Sequence, residues 1–346
     1  YKVSVIRRIK HASTATCTLP IYMGFLMTEP NSISCTQLAE TYNISHDSVN
    51  RFLEREDYTP HDLYQEAIQH IDNNKLIVSI DDTVLDKPYS QHMDLVSYFW
   101  SGKHHRSVKG INLITLYATD QNGQNIPINF RIYDKSEGKT KNDYFMDMLS
   151  EVLSWGAKIQ FITGDSWYSS TGNLKTIRKY GIRFMFGIDC NRKVSPEKGQ
   201  WFQLRLLPNF HQGQVVWLKD FGFVQLFKTQ LKEQQRFYIV HQDEDDLLSF
   251  EGFHELHSSH WKIEQYHRVI KQVCHIEKFQ VRRSKLILNH IFSALMAYVE
   301  IQKNQFERIF ENVYRWQKKL FRPIIKDFID DFILDKNHLL PQRIYK

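Results

Sequence analysis

Apolar and polar positions along the chain change their period several times, and each change marks an element. Over residues 31–55 (NSISCTQLAETYNISHDSVNRFLER) the apolar positions Leu38, Ala39, Tyr42, Ile44, Val49 and Phe52 fit the shared core of two short helices. Ser34 with Gln37 three residues on has the spacing of a capping box, and Ser45 stands ready to cap the second helix, with Asp47 in its first turn. From Lys75 the period shortens. Lys75 to Ile80 is a β-rich run ending at Asp81 and Asp82, and Ile111 to Thr119 and Asn125 to Tyr133 predict two more strands separated by the turn sequence DQNGQ. Helical spacing returns from Asn142 to Trp155 through Phe145, Met148, Leu149 and Val152, closed by Gly156. Lys158 to Thr163 predicts a strand running into Gly164 and Asp165, Thr171 to Tyr180 a helix, and Arg183 to Ile188 a strand. The order β-β-β-α-β-α-β describes a mixed α/β sheet, three antiparallel strands leading into parallel strands with crossover helices. One acidic residue stands at the carboxyl end of each of two strands.

Residues 191–250 depart from this rhythm. Their short β-like runs, Val215 to Leu218, Gly222 to Phe227 and Arg236 to His241, predict a mainly β insertion. From His254 the character is helical to the end, with Ser284 to Lys303 strongly apolar and a basic, aromatic tail after it.

Composition narrows the classes. With 346 residues, 42% hydrophobic and 24% charged, the chain is neither disordered, collagen-like nor a disulfide miniprotein. The apolar stretch Cys17 to Met27 falls short of the roughly 20 residues that span a bilayer and is broken by Pro20, so a soluble protein without membrane contact is expected. The four cysteines lie far apart without CxxC spacing, which fits a reducing, cytoplasmic setting. A net charge of +6 modestly favours an anionic partner.

The helix pair at 31–55 resembles a helix-turn-helix, with apolar Leu38, small Ala39 at the helix crossing, Asn43 in the turn where glycine is usual, then Ile44, Val49 and Phe52. Asn tolerates the left-handed conformation better than other non-glycine residues. On this reading His46, Ser48, Asn50 and Arg51 point outward toward a DNA groove. An ordinary helical hairpin is the alternative.

The chemistry concentrates later. In HSSHWKIEQYHRVIK the residues His257, His260, Glu264, His267 and Lys271 are spaced 3, 4, 3 and 4, which puts all five on one helix face. An acid flanked by basic groups, together with strand-end aspartates, supplies hard oxygen ligands for Mg²⁺ or Mn²⁺ and cations for phosphate. His257, His260 and Glu264 also admit a zinc reading, although HSSH lacks the HExxH arrangement and leaves both aspartates unexplained. Trp167 and Tyr168 read as packing residues, with base stacking as the second option. Two basic segments are candidates for DNA contact or for solvated faces. The first holds Lys87, Lys103, His104, His105, Arg106 and Lys109, interleaved with Tyr89, Tyr98, Phe99 and Trp100; the second holds Arg282, Arg283 and Lys285.

Taken together, the strand order, Asp82 in SIDDT, Asp165 in ITGDSWY, the β-rich insertion, and Glu264 and Lys271 on a late helix resemble the DDE transposases of the IS4-like group, including the IS701 branch, over about residues 70 to 300. The resemblance implies an RNase H-like catalytic domain. It also implies cut-and-paste DNA transposition and two Mg²⁺ ions, with Mn²⁺ substituting, held by Asp82, Asp165 and Glu264. Asp82 is preferred because it directly precedes Thr83, with Asp81 as the alternative. The family's helix reads Tyr, two residues, Arg, three residues, Glu, six residues, Lys; here His257 and His260 replace the Tyr and Arg. By the same resemblance Lys271 is catalytic and contacts DNA, with His257 and His260 in the places of the family's phosphate contacts; Arg268 on the same helix and, from the first basic segment, Lys103 and Arg106 complete the expected DNA-contacting set. The partners implied are terminal inverted repeats and target DNA, with a homodimer on paired ends in a nucleoid-associated bacterial setting. The implied division is 1–72 helix-turn-helix region, 73–190 and 251–304 the two parts of the catalytic domain, 191–250 insertion and 305–346 helical tail. A catalytically inactive, domesticated DNA-binding regulator and a stand-alone nuclease of the RNase H superfamily are the alternatives.

Overall fold

The computed structural model of the protein describes residues 16–29, 33–231, 234–241 and 247–336. The first part of the amino-terminal region (1–15), the start of the helix-pair motif at 31 and 32, and the end of the tail (337–346) lie outside the described residues.

Four helices precede the sheet. The apolar stretch around Pro20 forms α1 (Leu19–Thr28), because a proline in the first turn has no N–H that the helix needs. In α2 (Cys35–Tyr42) the Ser34 hydroxyl accepts the Gln37 N–H at 3.0 Å, and Asn43 ends the helix in the left-handed region at φ 52°, ψ 49°. Next comes α3 (His46–Arg55), burying Val49, Phe52 and Leu53; its N-cap Ser45 makes no side-chain capping bond. A capping box between Thr59 and Asp62 opens α4 (Pro60–Ala67). One expectation is overturned on α3: Ser48 is only 2% exposed and points inward. Its hydroxyl accepts the N–H groups of Thr16 at 2.6 Å and Cys17 at 2.9 Å, donors that the segment before α1 would otherwise bury unsatisfied.

The central sheet begins with β1 (Leu76–Asp86), β2 (Ser97–Ser101), β3 (Arg106–Thr119) and β4 (Asn125–Ile132). β1 and β3 pair antiparallel from Ile77↔Thr119 to Asp86↔Gly110, and β2 and β4 lie end to end along the far side of β3. Then α5 (Lys141–Ser154) leads to β5 (Ile159–Gly164) and α6 (Thr171–Lys179) to β6 (Arg183–Ile188), with β5 parallel to both β1 and β6. Two details differ from the sequence reading. β1 runs on through Asp81 and Asp82 to Asp86, because β3 offers it a ladder that long, and the connection after it contains the extra strand β2. Strands β7 (Lys193–Ser195), β8 (Phe202–Gln203), β9 (Gln214–Leu218), β10 (Gly222–Leu231) and β11 (Gln234–His241) continue the same sheet, β11 joining β6 antiparallel.

Three helices close the chain: α7 (Phe250–Gln272), α8 (Ser284–Phe306) and α9 (Val313–Lys336). Helix α8 is apolar nearly all round and accordingly buried nearly all round, packed against α1, α3, α4, α7 and β4. It joins the amino-terminal helices to the sheet in one continuous apolar core. Among the described residues, no helix is long and apolar enough to cross a membrane.

Among the polar residues buried inside this core is Asn289 on α8, 1% exposed. Its Nδ2 donates to the carbonyls of Leu53 and Glu56, both at 2.7 Å, and its Oδ1 accepts the Tyr58 N–H at 3.4 Å, so one side chain closes the end of α3. Replacing it by an apolar residue of similar size strands those buried groups. Asn289→Leu is expected to lower the unfolding free energy by about 2–4 kcal/mol in a urea titration. A change below about 0.5 kcal/mol would mean that the bonds contribute nothing.

Candidate active site

The meeting of the acids follows from strand lengths. β5 ends at Gly164, paired with Ile80, whereas β1 continues, so Asp81 and Asp82 lie beyond the last parallel bridge and beside Asp165. Gly164 is required there, since a Cβ would come within 2.6 Å of the Phe186 ring and 2.7 Å of the Ile80 side chain. Asp165 opens a tight helical turn at Ser166–Tyr168 and accepts the Trp167 N–H at 2.9 Å.

Adjacent residues on a strand face opposite ways, and Asp81 and Asp82 divide accordingly. On one face, Asp82 Oδ2 accepts Asn112 Nδ2 at 2.6 Å and Lys141 Nζ at 2.7 Å, while Oδ1 accepts the Tyr168 hydroxyl at 2.9 Å. On the other, Asp81 accepts the Asp82 backbone N–H at 2.8 Å and lies 3.6 Å from His267 Nδ1 on α7.

Helix α7 crosses the strand ends on this second face. His257 Nε2 lies 3.0 Å from the Tyr238 hydroxyl on β11, and His260 Nδ1 lies 3.2 Å from Thr163 Oγ1 on β5, which in turn bonds Ser79 on β1 at 2.8 Å. Lys271 Nζ donates to the Val84 carbonyl of β1 at 2.7 Å. A second lysine answers it: Lys87, 7% exposed, sends its ammonium from the end of β1 to the carbonyls of Glu277 at 2.6 Å and Phe279 at 2.7 Å, 3.5 Å above the Phe279 ring. Lys271 thus ties α7 to β1, and Lys87 ties the segment after α7 to the end of the same strand. Lys87 is therefore buried structure and not the DNA contact that its basic segment predicted.

Asp81, Asp82, Asp165 and Glu264 line one cleft of about 840 Å³ together with Lys103, Lys141 and Lys271. Its walls include Trp100 and Trp167, 66% and 64% exposed. A second cleft of about 810 Å³ shares Asp81, Asp165 and Glu264 and is lined by Arg236, His257, His260 and Trp261.

Electrostatics reflect this crowding. Burial, then the charge of Asp82, pushes Asp165 up to about 6, and burial with Asp165 and Asp82 holds Asp81 well above the usual carboxylate range. Burial also raises Glu264, against the pull of Arg236 and Arg268. The histidines go the other way: burial, then His257, lowers His260 to about 4, and burial lowers His267 to about 3. Both are neutral near pH 7, and His257 is lowered too, by burial first.

The remaining sequence candidates are scattered. His46 and Asn50 approach within 3.3 Å on the exposed side of α3, and Arg51 Nε donates to the Asp47 carbonyl at 3.2 Å. Lys103 stands 3.5 Å and His104 2.9 Å from Asp86, while Arg106 and Arg268 are exposed. Lys109 donates to the Ser90 carbonyl, Arg283 pairs with Glu54 and Lys285 with Asp57. Tyr168 packs, as expected, but its hydroxyl also serves Asp82, and Trp167 does not pack. The roles of Asn112, Lys141 and the Tyr168 hydroxyl at Asp82 were beyond sequence reasoning, apart from the hint that Lys141 follows a capping-box threonine.

Among the described residues, no three His, Cys, Asp or Glu side chains are gathered closely enough to hold a metal as they stand. The zinc reading loses its geometry, since His257 and His260 turn to different partners. The acids fit a hard divalent cation by chemistry. They are oxygen donors of one sign confined to one cleft, and two of them, Asp81 and Asp165, are raised in pKa partly by acidic neighbours.

Comparison with known proteins gives a family match. The model of a family described as "Transposase DDE domain" matches residues 72–299. No curated protein matches the chain. Among solved structures, a Marinitoga piezophila Argonaute in complex with 5′-OH guide RNA and target DNA is similar at 10% identity and a TM-score of 0.22. The alignment covers 67% of this chain and 33% of that one, so the chain spans about a third of its length, and so distant a likeness adds nothing to the fold.

The raised Asp165 carboxyl gives a pH dependence of defined sign. Between its ordinary value of 3.8 and about 6 the folded protein binds more protons at this site than the unfolded one, so this contribution to stability falls as pH rises through that window. Asp165→Asn is therefore expected to be more stable than the parent at pH 7.5, by on the order of 1 kcal/mol after allowing for exposure to the cleft, and nearly equal to it at pH 4. Thermal unfolding of the metal-free proteins at the two pH values measures this. An equal difference at both would contradict the shift.

Proposed function

The chain belongs to the transposase DDE-domain family, and on that premise we propose that it is a DNA transposase of the IS4-like group that binds the ends of a mobile element and cuts and rejoins strands at one acidic cleft. The observation carrying this reading is that acids from β1, from the turn after β5 and from α7, all within the matched residues, line a single cleft with lysines and exposed tryptophans.

Asp82, Asp165 and Glu264 are the residues proposed to hold two Mg²⁺ ions, or Mn²⁺ in their place. A divalent metal bound there supplies Lewis-acid stabilisation of the phosphodiester and a more acidic attacking water. The chain's own part is to bring the acids together, to orient Asp82 through Asn112 and Tyr168, and to line the approach with cations. Hydrolysis at an element end leaves a 3′-OH, which attacks a target phosphodiester in line. Each step exchanges one P–O bond for another, so no covalent enzyme intermediate is required. Lys103 and Arg106, at the exposed tip between β2 and β3, are proposed to hold the DNA backbone, with Arg268 beside the acids. Lys271 is proposed to act as catalytic phosphate contact by leaving the Val84 carbonyl when DNA binds. His257 and His260 contribute less, each having one ring nitrogen engaged and being neutral at pH 7.

The helix pair of residues 33–55 is proposed as the helix-turn-helix reader of the terminal inverted repeats, through His46, Asn50 and Arg51, with residues 191–250 as the β insertion of a split catalytic domain. Pairing of two ends calls for a homodimer on DNA, in a cytoplasmic, nucleoid-associated setting.

The test uses a plasmid carrying the DNA that flanks the gene, incubated with the protein and Mg²⁺. The parent is expected to excise and join. Asp82→Ala, Asp165→Ala and Glu264→Ala are each expected to bind the ends but to lose cleavage by at least about a thousandfold. Asp81→Asn decides between the strand acids, retaining cleavage if Asp82 is the ligand. A parent that binds ends without cutting, in Mn²⁺ as in Mg²⁺, would make the protein a DNA-binding regulator.

A further inference from the structure

Lys141 is the first residue of α5, and the backbone fixes its place before its side chain is considered. Thr140 and Asp143 close a capping box at the helix start, through the Thr140 N–H to Asp143 Oδ2 at 2.7 Å and the Asp143 N–H to Thr140 Oγ1 at 3.3 Å. From there the lysine stem passes the exposed Trp167 indole, the ammonium lying 5.7 Å from the ring centroid, and reaches Asp82. Lysine and aspartate are each 17% exposed. Among the described residues neither Asp165 nor Glu264 is in an ion pair, so within the proposed triad only Asp82 has a cation in direct contact, while Lys141 acts on Asp165 and two arginines on Glu264 from farther away.

The three donors on Asp82 are not equivalent. Asn112 and Tyr168 are neutral, and a second cation on the carboxylate does not repel them. The Lys141 ammonium carries a full charge 2.7 Å from Oδ2, and a dication sharing that carboxylate would oppose it strongly in this half-buried place. Lysine suits a contact that must break, being a flexible, strongly hydrated point charge with three rotatable donors. Its other surroundings are the cleft itself, where a DNA phosphate would pass.

We propose that Lys141 is the resident counter-cation of Asp82, exchanged for divalent metal when the site loads and thereby freed for a phosphate of the DNA in the same cleft. This rests on the reading of Asp82, Asp165 and Glu264 as a metal site. One consequence is reciprocal: metal and DNA each tighten the binding of the other through the position of one side chain.

The test is calorimetric titration of the full chain with MnCl₂ alone, for the parent, Lys141→Met, Lys141→Arg and Lys139→Met. Lys141→Gln repeats the removal with a polar side chain, and thermal unfolding verifies that each variant is folded. Removing the competing ammonium is expected to tighten Mn²⁺ binding at least about fivefold in Lys141→Met and Lys141→Gln. Lys141→Arg keeps the charge, and Lys139→Met removes one charge two residues along the chain from Lys141, where Lys139 pairs with Asp147 instead of Asp82. Both are expected to stay within about twofold of the parent. In a second arm, Ca²⁺ is expected to tighten binding of a fluorescent duplex of the flanking DNA by the parent, and to do so several-fold less for Lys141→Met. Mn²⁺ affinity that is unchanged or weaker in Lys141→Met overturns the exchange while leaving the metal site standing. Absence of Mn²⁺ binding by the parent and both removal variants overturns the metal site and the exchange with it.

Discussion

Four carboxylates of one sign share a half-enclosed cleft, and their mutual repulsion is the constraint around which the site is arranged. Asp81 and Asp165 are both pushed upward in pKa by burial and by their acidic neighbours. The protein meets this with graded partners. Asp82 has a full positive charge and two neutral donors, Asp81 a backbone N–H and a nearby neutral histidine, and Asp165 a backbone N–H in a tight turn. Glu264 stands on an exposed face of α7, with two arginines only in its wider field. The carboxylates can thus coexist in a folded protein while remaining short of charge compensation, which is the condition under which hard cations bind.

Such an arrangement persists only on rigid supports. The segment after α7 is held to the end of β1 by Lys87, whose buried ammonium ends on the carbonyls of Glu277 and Phe279, and, until DNA binds, Lys271 on α7 adds a bond to the Val84 carbonyl. Behind them α8 fills the core and ties the amino-terminal helices to the central sheet, with Asn289 closing the end of α3. Any motion of the amino-terminal helices relative to the sheet would therefore have to work against packing on the same helix that backs the site.

Much of the sheet was legible in the sequence because its signals are local. The β-rich apolar runs at 75–80, 111–119 and 125–133, the helical spacing at 142–155 and the turn DQNGQ each correspond to an observed element. The site was legible in part. Equal helical spacing put His257, His260, Glu264, His267 and Lys271 on one face, and that face does lie on the strand ends. What spacing could not supply was the partner of each residue. Ser48 turns inward because a neighbouring segment brings two bare N–H groups. Lys87 is buried because the chain after α7 offers two carbonyls. Lys141 is at Asp82 because α5 starts there. Strand length was equally hidden: that β1 outruns β5, the fact that brings Asp81 and Asp82 beside Asp165, depends on pairing with β3 across the sheet.

That the acids of β1, the β5 turn and α7 together form a divalent-metal site is tested most directly by crystals of the protein soaked in MnCl₂ and measured at the manganese absorption edge. Anomalous density bounded by Asp82, Asp165 and Glu264 is the expected result. Anomalous density confined to His257 and His260, or absent from a cleft in which all four acids are ordered, would contradict it.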